Sequence, residues 1–221
     1  MKPILSVLIC TVYGREAQLA RALGALIENI KIESETVTAD KSEIVLIVDQ
    51  AHRIEIIIRK DNKELPVGAK RQQLLHDASG EWIVLFDDDD LPYKGYLRKI
   101  LTAVLSRPDA DCCGINGDMT INKSNPQTWI HSIKYKRWAS NVDGFSYVRP
   151  PIHFNPVKRV LALRAGFKPM RYAEDHDYSM RLLPLLRKEV VIKDKLFLYD
   201  YSNKVNNREK FRMQRNTLTP L

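Results

Sequence analysis

Cysteine is scarce. Only three occur in 221 residues, and two of them, Cys112 and Cys113, are adjacent. That pattern excludes a disulfide framework and a cysteine zinc site, and it suits a reducing, cytoplasmic compartment. Long apolar runs are also missing. The N-terminal run from Ile4 to Cys10 is too short to span a bilayer and has no small-residue cleavage site after it. A permanent membrane anchor is therefore not expected. Repeats and low-complexity tracts are absent, which excludes solenoid and array architectures.

What is present is an ordinary globular balance, 44% apolar and 28% charged, so the chain is neither disordered nor fibrous. Its length suits one domain that buries roughly 70% of its unfolded surface without cross-links. The charge is uneven. Residues 1–100 carry a net −2 and residues 101–221 a net +10. A basic half is either a solvated surface or the counterpart of an anionic partner, namely a nucleotide, a nucleic acid or a membrane face.

Apolar periodicity alternates between strand and helix through the first hundred residues. LSVLIC (5–10), EIVLIV (43–48), IEIII (54–58) and EWIVLF (81–86) read as strands, the second also compatible with a helix. Leu19, Ala22, Leu23, Leu26, Ile27 and Ile30 give one apolar face to a helix from about Arg15 to Ile30. Residues 31–42 are polar and read as a loop. Helices are expected over 67–78 and from Tyr93 to Leu105. This order predicts an α/β domain with a largely parallel central sheet flanked by helices. The stretch 106–155 is less regular, with a strand at 110–115 and a hairpin from 119–122 and 128–135. Asn155-Pro156 reads as a helix start, a capping side chain followed by proline. Another helix is expected from about Asp175 to Leu186. KLFLYDY (195–201) is the last strand candidate. The basic segment 203–221 reads as a mobile tail that folds over a bound diphosphate.

FDDDDLP (86–92) is the most informative stretch. Four acids follow an apolar strand directly. Two carboxylates about 4 Å apart repel by up to about 4 kcal/mol at an effective dielectric of 20. The cluster needs solvent, protonation or a cation to offset it. It stands at the carboxyl end of a central strand, the edge where open α/β sheets bind ligands. Oxygen donors favour magnesium, manganese or calcium over zinc.

Four segments in order resemble family 2 glycosyltransferases of the GT-A fold: SVLICTVYGREAQLARAL (6–23), VGAKRQQLLHDASGEWIVLFDDDD (67–90), HFNPVKRVLALRAGF (153–167) and YAEDHDYSMRL (172–182). The resemblance implies one domain over 1–202, with a nucleotide-sugar half to about 106 and an acceptor half from about 107. It implies a metal-dependent, inverting transfer from a nucleotide-sugar donor, most commonly a UDP-sugar, to a carbohydrate or glycoconjugate hydroxyl. Thr11, Tyr13 and Arg15 fall where the nucleotide sits. Lys70 and Arg71 add positive charge near it, unless they form a solvated helix face. Asp87-Asp88-Asp89 matches the Asp-x-Asp motif. Asp89 and Asp87 would hold Mn2+ or Mg2+, Asp87 and Asp88 would also contact the donor, and His153 would complete the metal shell or bind acceptor. Asp175 matches the general base and Glu174 its neighbour in the acid pair. Cys10-Thr11-Val12-Tyr13 departs from the family's Pro-Thr-Tyr by one residue. The family's base-contacting Asp has two candidates, Asp49 and Asp61, of which Asp61 is preferred because Gly68-Ala69-Lys70-Arg71 follows it closely. Trp129, Tyr135 and Trp138 are either core residues or a platform for a ring. Other readings remain open: transfer to modified DNA bases, a non-catalytic nucleotide-sugar or nucleic-acid binding module, and a nucleotidyltransferase, which leaves Asp175 without a task.

Overall fold

A computed structural model describes residues 2–28, 30–38, 40, 42–48 and 54–201. The candidate Asp49 and the tail 203–221 lie outside these residues. The centre of the sheet is β1 (Leu5–Val12), with β4 (Ile54–Asp61) on one side and β5 (Trp82–Asp87) on the other, both parallel to it. These strands are buried on both faces, which is why they read as continuous apolar runs. Leu5, Val7 and Ile9 point to one face, and Leu8 to the other. The first face packs on α1 (Glu16–Leu26) and α3 (Tyr96–Ser106), through Ala22, Leu26, Leu97 and Ile100. The second packs on α2 (Val67–Asp77), α4 (Arg159–Ala165) and α5 (Glu174–Leu182), through Leu74, Leu75, Ala162, Tyr178 and Leu182. Each of the buried leucines and isoleucines contributes about 1.5–3 kcal/mol by its burial. The result is one α/β/α domain.

The flanks of the sheet are mixed. Beyond β4 lie β3 (Glu43–Val48) and β2 (Ile32–Val37), each antiparallel to its neighbour. On the other side β11 (Val157–Lys158) leads to β7 (Cys112–Ile121), β8 (Ser124–His131), β10 (Phe145–Arg149) and β9 (Ala139–Val142). The long β12 (Glu189–Tyr201) runs parallel to β7 and also pairs with the short β6 (Leu91–Pro92).

Several boundaries differ from the sequence reading. Residues 32–37 form a strand rather than a loop, an exposed edge strand whose side chains show no burial period. EIVLIV is a strand. The first helix stops at Leu26, and the third starts at Tyr96 after Gly95, whose φ of 76° suits a residue without a Cβ. The strand from Ile54 continues to Asp61. The segments 110–115 and 119–122 fall mostly within one strand, β7, which does pair with β8, although β8 starts at Ser124 and ends at His131 rather than running over 128–135. Asn155-Pro156 does not begin a helix. The Asn155 side chain accepts from the Ile152 amide and donates to the Cys113 carbonyl, so it fastens a buried loop, and α4 begins at Arg159. The helix at Glu174 ends at Leu182 and passes into a 3-10 turn containing Pro184.

Candidate active site

The parallel strands β1, β4 and β5 end on one edge. Val12 is in register with Asp61, and Cys10 with Asp87. The ends of these strands and the first turns of α2 enclose a cleft of about 260 Å3, lined by Thr11, Arg15, Lys70, Arg71 and Asp87 to Asp89. A second hollow of about 200 Å3 shares Val12, Val67 and Lys70 with it and is closed by Lys63, Leu65, Arg171 and Tyr172.

Lys70 and Arg71 are not on a solvated face. Both are only 4% exposed. Lys70 Nζ donates to Asp61 Oδ1 at 2.6 Å and to the Thr11 carbonyl at 3.1 Å. The Leu65 amide donates to the other Asp61 oxygen at 3.0 Å. Partial burial works to raise the Asp61 pKa, but the Lys70 and Leu65 hydrogen bonds outweigh it and hold the carboxyl below its usual range. Tyr13 is half exposed at the lip, with the Lys60 ammonium 4.4 Å from its ring centre.

Arg71 is the hub of the inner wall. Its Nη2 donates to Asp87 Oδ1 at 2.8 Å, and its Nη1 donates to Glu174 Oε1 at 2.8 Å. His153 Nε2 lies 3.2 Å from the same Nη2 and 3.5 Å from Asp87 Oδ2. A guanidinium only donates, so Nε2 of a neutral imidazole accepts from Arg71. Burial and the Arg71 charge lower the His153 pKa, consistent with that state. Burial works to raise Asp87, yet the adjacent Arg71 charge holds it well below the carboxylate range. Glu174 is raised, because burial exceeds the pull of Arg71.

The four acids do not act alike. Asp88 is buried; Thr11 Oγ1 donates to it at 2.6 Å and Arg15 Nη2 approaches it to 2.6 Å. The same Arg15 nitrogen is 2.7 Å from Asp89 Oδ2, and Arg21 donates to the Asp89 carbonyl. Asp89 itself is more than half exposed. Asp90 is buried, its Oδ2 has no hydrogen-bond partner among the described residues, and burial pushes its carboxyl well above the usual range, the neighbouring Asp87 and Asp89 adding to the shift. Among the described residues no three His, Cys, Asp or Glu converge as a ready-made metal cage. The hard oxygen donors of Asp87, in the inner wall, and Asp89, more exposed, both line the cleft and would suit a different type of site, in which one or two carboxylates and phosphate oxygens share a divalent cation.

The acid pair opens α5. Glu174 is committed to Arg71, whereas among the described residues Asp175 Oδ1 accepts only from the adjoining His176 amide at 2.8 Å. Ala173, just before, has a φ of 59°, a left-handed conformation that costs a non-glycine residue about 1–3 kcal/mol. The preceding segment is tied down: the Gly68 amide donates to the Met170 carbonyl, and Arg171 donates to the carbonyls of Lys63 and Glu64.

The structure thus brings together Thr11, Arg15, Asp61, Lys70, Arg71, Asp87, Asp88, Asp89, His153 and Glu174, with Tyr13 at the rim. Trp129 and Tyr135 are buried, and only Trp138 of the three ring candidates is exposed. Sequence reasoning missed Arg149. It closes β10 and its guanidinium lies over the Trp138 ring, a partnership visible only after β9 and β10 are paired.

Comparisons with known proteins bear on the fold and the family. No protein of curated function matches the chain by sequence. Among solved structures, the crystal structure of S. aureus TarS 1–349 superposes with a TM-score of 0.54 at 16% identity, over 90% of this chain and 60% of that one. The same fragment in complex with UDP-GlcNAc gives 0.53 at 16% identity over 90% and 58%, and with UDP 0.54 at 16% identity over 91% and 61%. The chain therefore spans about 60% of that fragment and 37% of the longer TarS structure. These likenesses establish the fold, which is the GT-A arrangement. No helix among the described residues is long and apolar enough to cross a membrane. The profile of Glycosyl transferase family 2 matches residues 6–168, three quarters of the sequence, and the chain belongs to that family.

Proposed function

We propose that the chain transfers a glycosyl group from a UDP-sugar to a hydroxyl of a carbohydrate or glycoconjugate, with inversion and with Mn2+ or Mg2+ as cofactor. The observation that carries this reading is Arg71. It joins Asp87, at the end of the strand carrying the acid cluster, to Glu174, beside the candidate base, in one buried network. The TarS structures that share this fold include complexes with UDP-GlcNAc and UDP, which supports a uridine donor here.

The residues divide the work by position. The hollow beside Asp61 and Lys70 suits the nucleotide, and Arg15 and Lys70 face the cleft where a diphosphate would lie. Asp89 and Asp87 would hold the divalent cation, which supplies positive charge against the departing diphosphate. Glu174 cannot move freely, because Arg71 fixes it. Asp175 has the looser carboxylate and takes the proton from the acceptor hydroxyl. Attack by that hydroxyl on the face opposite the leaving group inverts the anomeric carbon. The test is calorimetry of UDP with and without manganese, followed by a screen of UDP-sugars. Tighter UDP binding with manganese is expected. Equal affinity in both conditions would remove the metal from the mechanism, and no UDP binding would remove the donor assignment.

A further inference from the structure

Trp138 is the one tryptophan of three that reaches solvent, 38% exposed against 2% for Trp82 and 5% for Trp129. It does not sit on a slack loop. The Ser132 hydroxyl and the Ile133 amide both donate to Glu189, at 2.6 and 2.9 Å. Lys134 and the Tyr135 hydroxyl both reach Asp143, each at 2.8 Å. The segment leading to Trp138 is thus fastened to β12 and to the β9–β10 turn. Pairing of Ala139 with Val148 sets Arg149 across from Trp138, and the guanidinium lies 3.9 Å from the ring centre. The edge of His176 meets the same indole at 5.3 Å, and His176 adjoins Asp175. The Arg149 side chain has no hydrogen bond or ion pair with any described residue, although the Asp175 charge acts on it. A guanidinium centred over an indole and without a hydrogen-bonding partner among the described residues retains N–H donors that can take an anionic group in a bidentate manner.

We propose that Trp138 and Arg149 seat the acceptor beside Asp175, the indole taking the apolar face of a sugar ring and the guanidinium an anionic group on that sugar. This rests on the glycosyl-transfer reading and names the acceptor class: a saccharide bearing a phosphate or a carboxylate. Trp138 has its other ring contacts fixed and its loop pinned, so it meets a ring without paying for order at that moment.

The indole is its own probe, because the other two tryptophans are buried. Emission of the full chain, saturated with UDP and manganese, is titrated with glucose 6-phosphate, glucuronate, methyl glucoside and inorganic phosphate. UDP binding is checked in the same samples by calorimetry. Saturable emission changes are expected with the two charged sugars, with glucose 6-phosphate and glucuronate telling phosphate from carboxylate. Methyl glucoside should bind at least about tenfold more weakly, since a charge-assisted pair adds roughly 1.5–3 kcal/mol, or about 10- to 150-fold. Trp138→Phe should abolish the emission change and retain calorimetric binding. Arg149→Gln should erase the preference for charged sugars with an unchanged melting temperature. No saturable change with either charged sugar, while UDP still binds, overturns the proposal and leaves the donor reading intact. So does a change that persists in Trp138→Phe. If UDP alone loses affinity in Arg149→Gln, the guanidinium serves the donor diphosphate and its assignment to the acceptor fails. Absence of UDP binding in the parent chain defeats the underlying reading instead.

Discussion

The guanidinium of Arg71 donates to Glu174 at 2.8 Å across 103 positions of sequence, with both side chains at most 10% exposed. The contact fastens α2 to α5 and fixes one member of the acid pair. Arg71→Met should leave Glu174 and Asp87 without their cation. Removing one partner of a buried ion pair typically costs about 3–5 kcal/mol. Urea unfolding at neutral pH measures it. A loss under about 1 kcal/mol would show that Glu174 and Asp87 are satisfied without Arg71.

Asp61 and Lys70 give a pH signature. The folded pKa of Asp61 is depressed by its hydrogen bonds to Lys70 and Leu65, which exceed the opposing effect of burial. Its contribution is therefore present above the unfolded value of about 3.9 and is lost as pH falls through the lowered folded value. Melting temperatures of the parent and Asp61→Asn from pH 7 downward should differ most at neutral pH and converge below about pH 4. A gap that does not narrow with acid would contradict the pairing.

Arg15 Nη2 is 2.7 Å from Asp89 Oδ2, so on the proposed mechanism Arg15 and the divalent cation would compete for the same oxygen. Arg15→Gln should strengthen manganese binding in the absence of nucleotide by roughly two- to fivefold, the scale of an exposed ion pair. Asp89→Asn should abolish the manganese dependence of UDP binding. Electron paramagnetic resonance of free manganese reports both. Unchanged titrations in both variants would place the cation elsewhere.

Gly68 lies where α2 meets the segment before the acid pair. A Cβ there would sit 2.0 Å from the Lys168 carbonyl oxygen, a backbone atom with little room to yield. Gly68→Ala should cost about 1–3 kcal/mol, the usual penalty for overpacking. It should also disturb Asp175 through residues 168–173, so donor turnover should fall more than UDP affinity. Thermal melts and UDP titrations of the variant decide this, and a stable, fully active variant would be the contrary outcome.

The sheet centre and its acid-bearing edge were legible because buried parallel strands are continuous apolar runs, and four acids after one of them have few structural explanations. The burial of Arg71 was half legible. Val67, Leu74, Leu75 and Ala78 share its helical stripe, so a charge there is turned inward and must meet carboxylates. The strand at 32–37 was not legible, because it is exposed along its whole length and held by backbone pairing to β3. Asn155-Pro156 misled because asparagine caps helices and also fastens loops, and only the third dimension shows which backbone groups it meets. Arg149 was silent for the same reason: its partner Trp138 is adjacent only across a strand pair.

The central claim is that Asp175 is the general base of a glycosyl transfer. The most direct measurement is single-turnover release of UDP from the UDP-sugar that binds best, with transfer to water when no acceptor is added, for the parent chain and Asp175→Asn. The account predicts near-normal donor affinity and melting temperature in Asp175→Asn, with a rate lower by about 10²–10⁴-fold. Near-normal turnover in that variant would contradict the mechanism, and loss of folding with loss of donor binding would make Asp175 a helix-start residue instead.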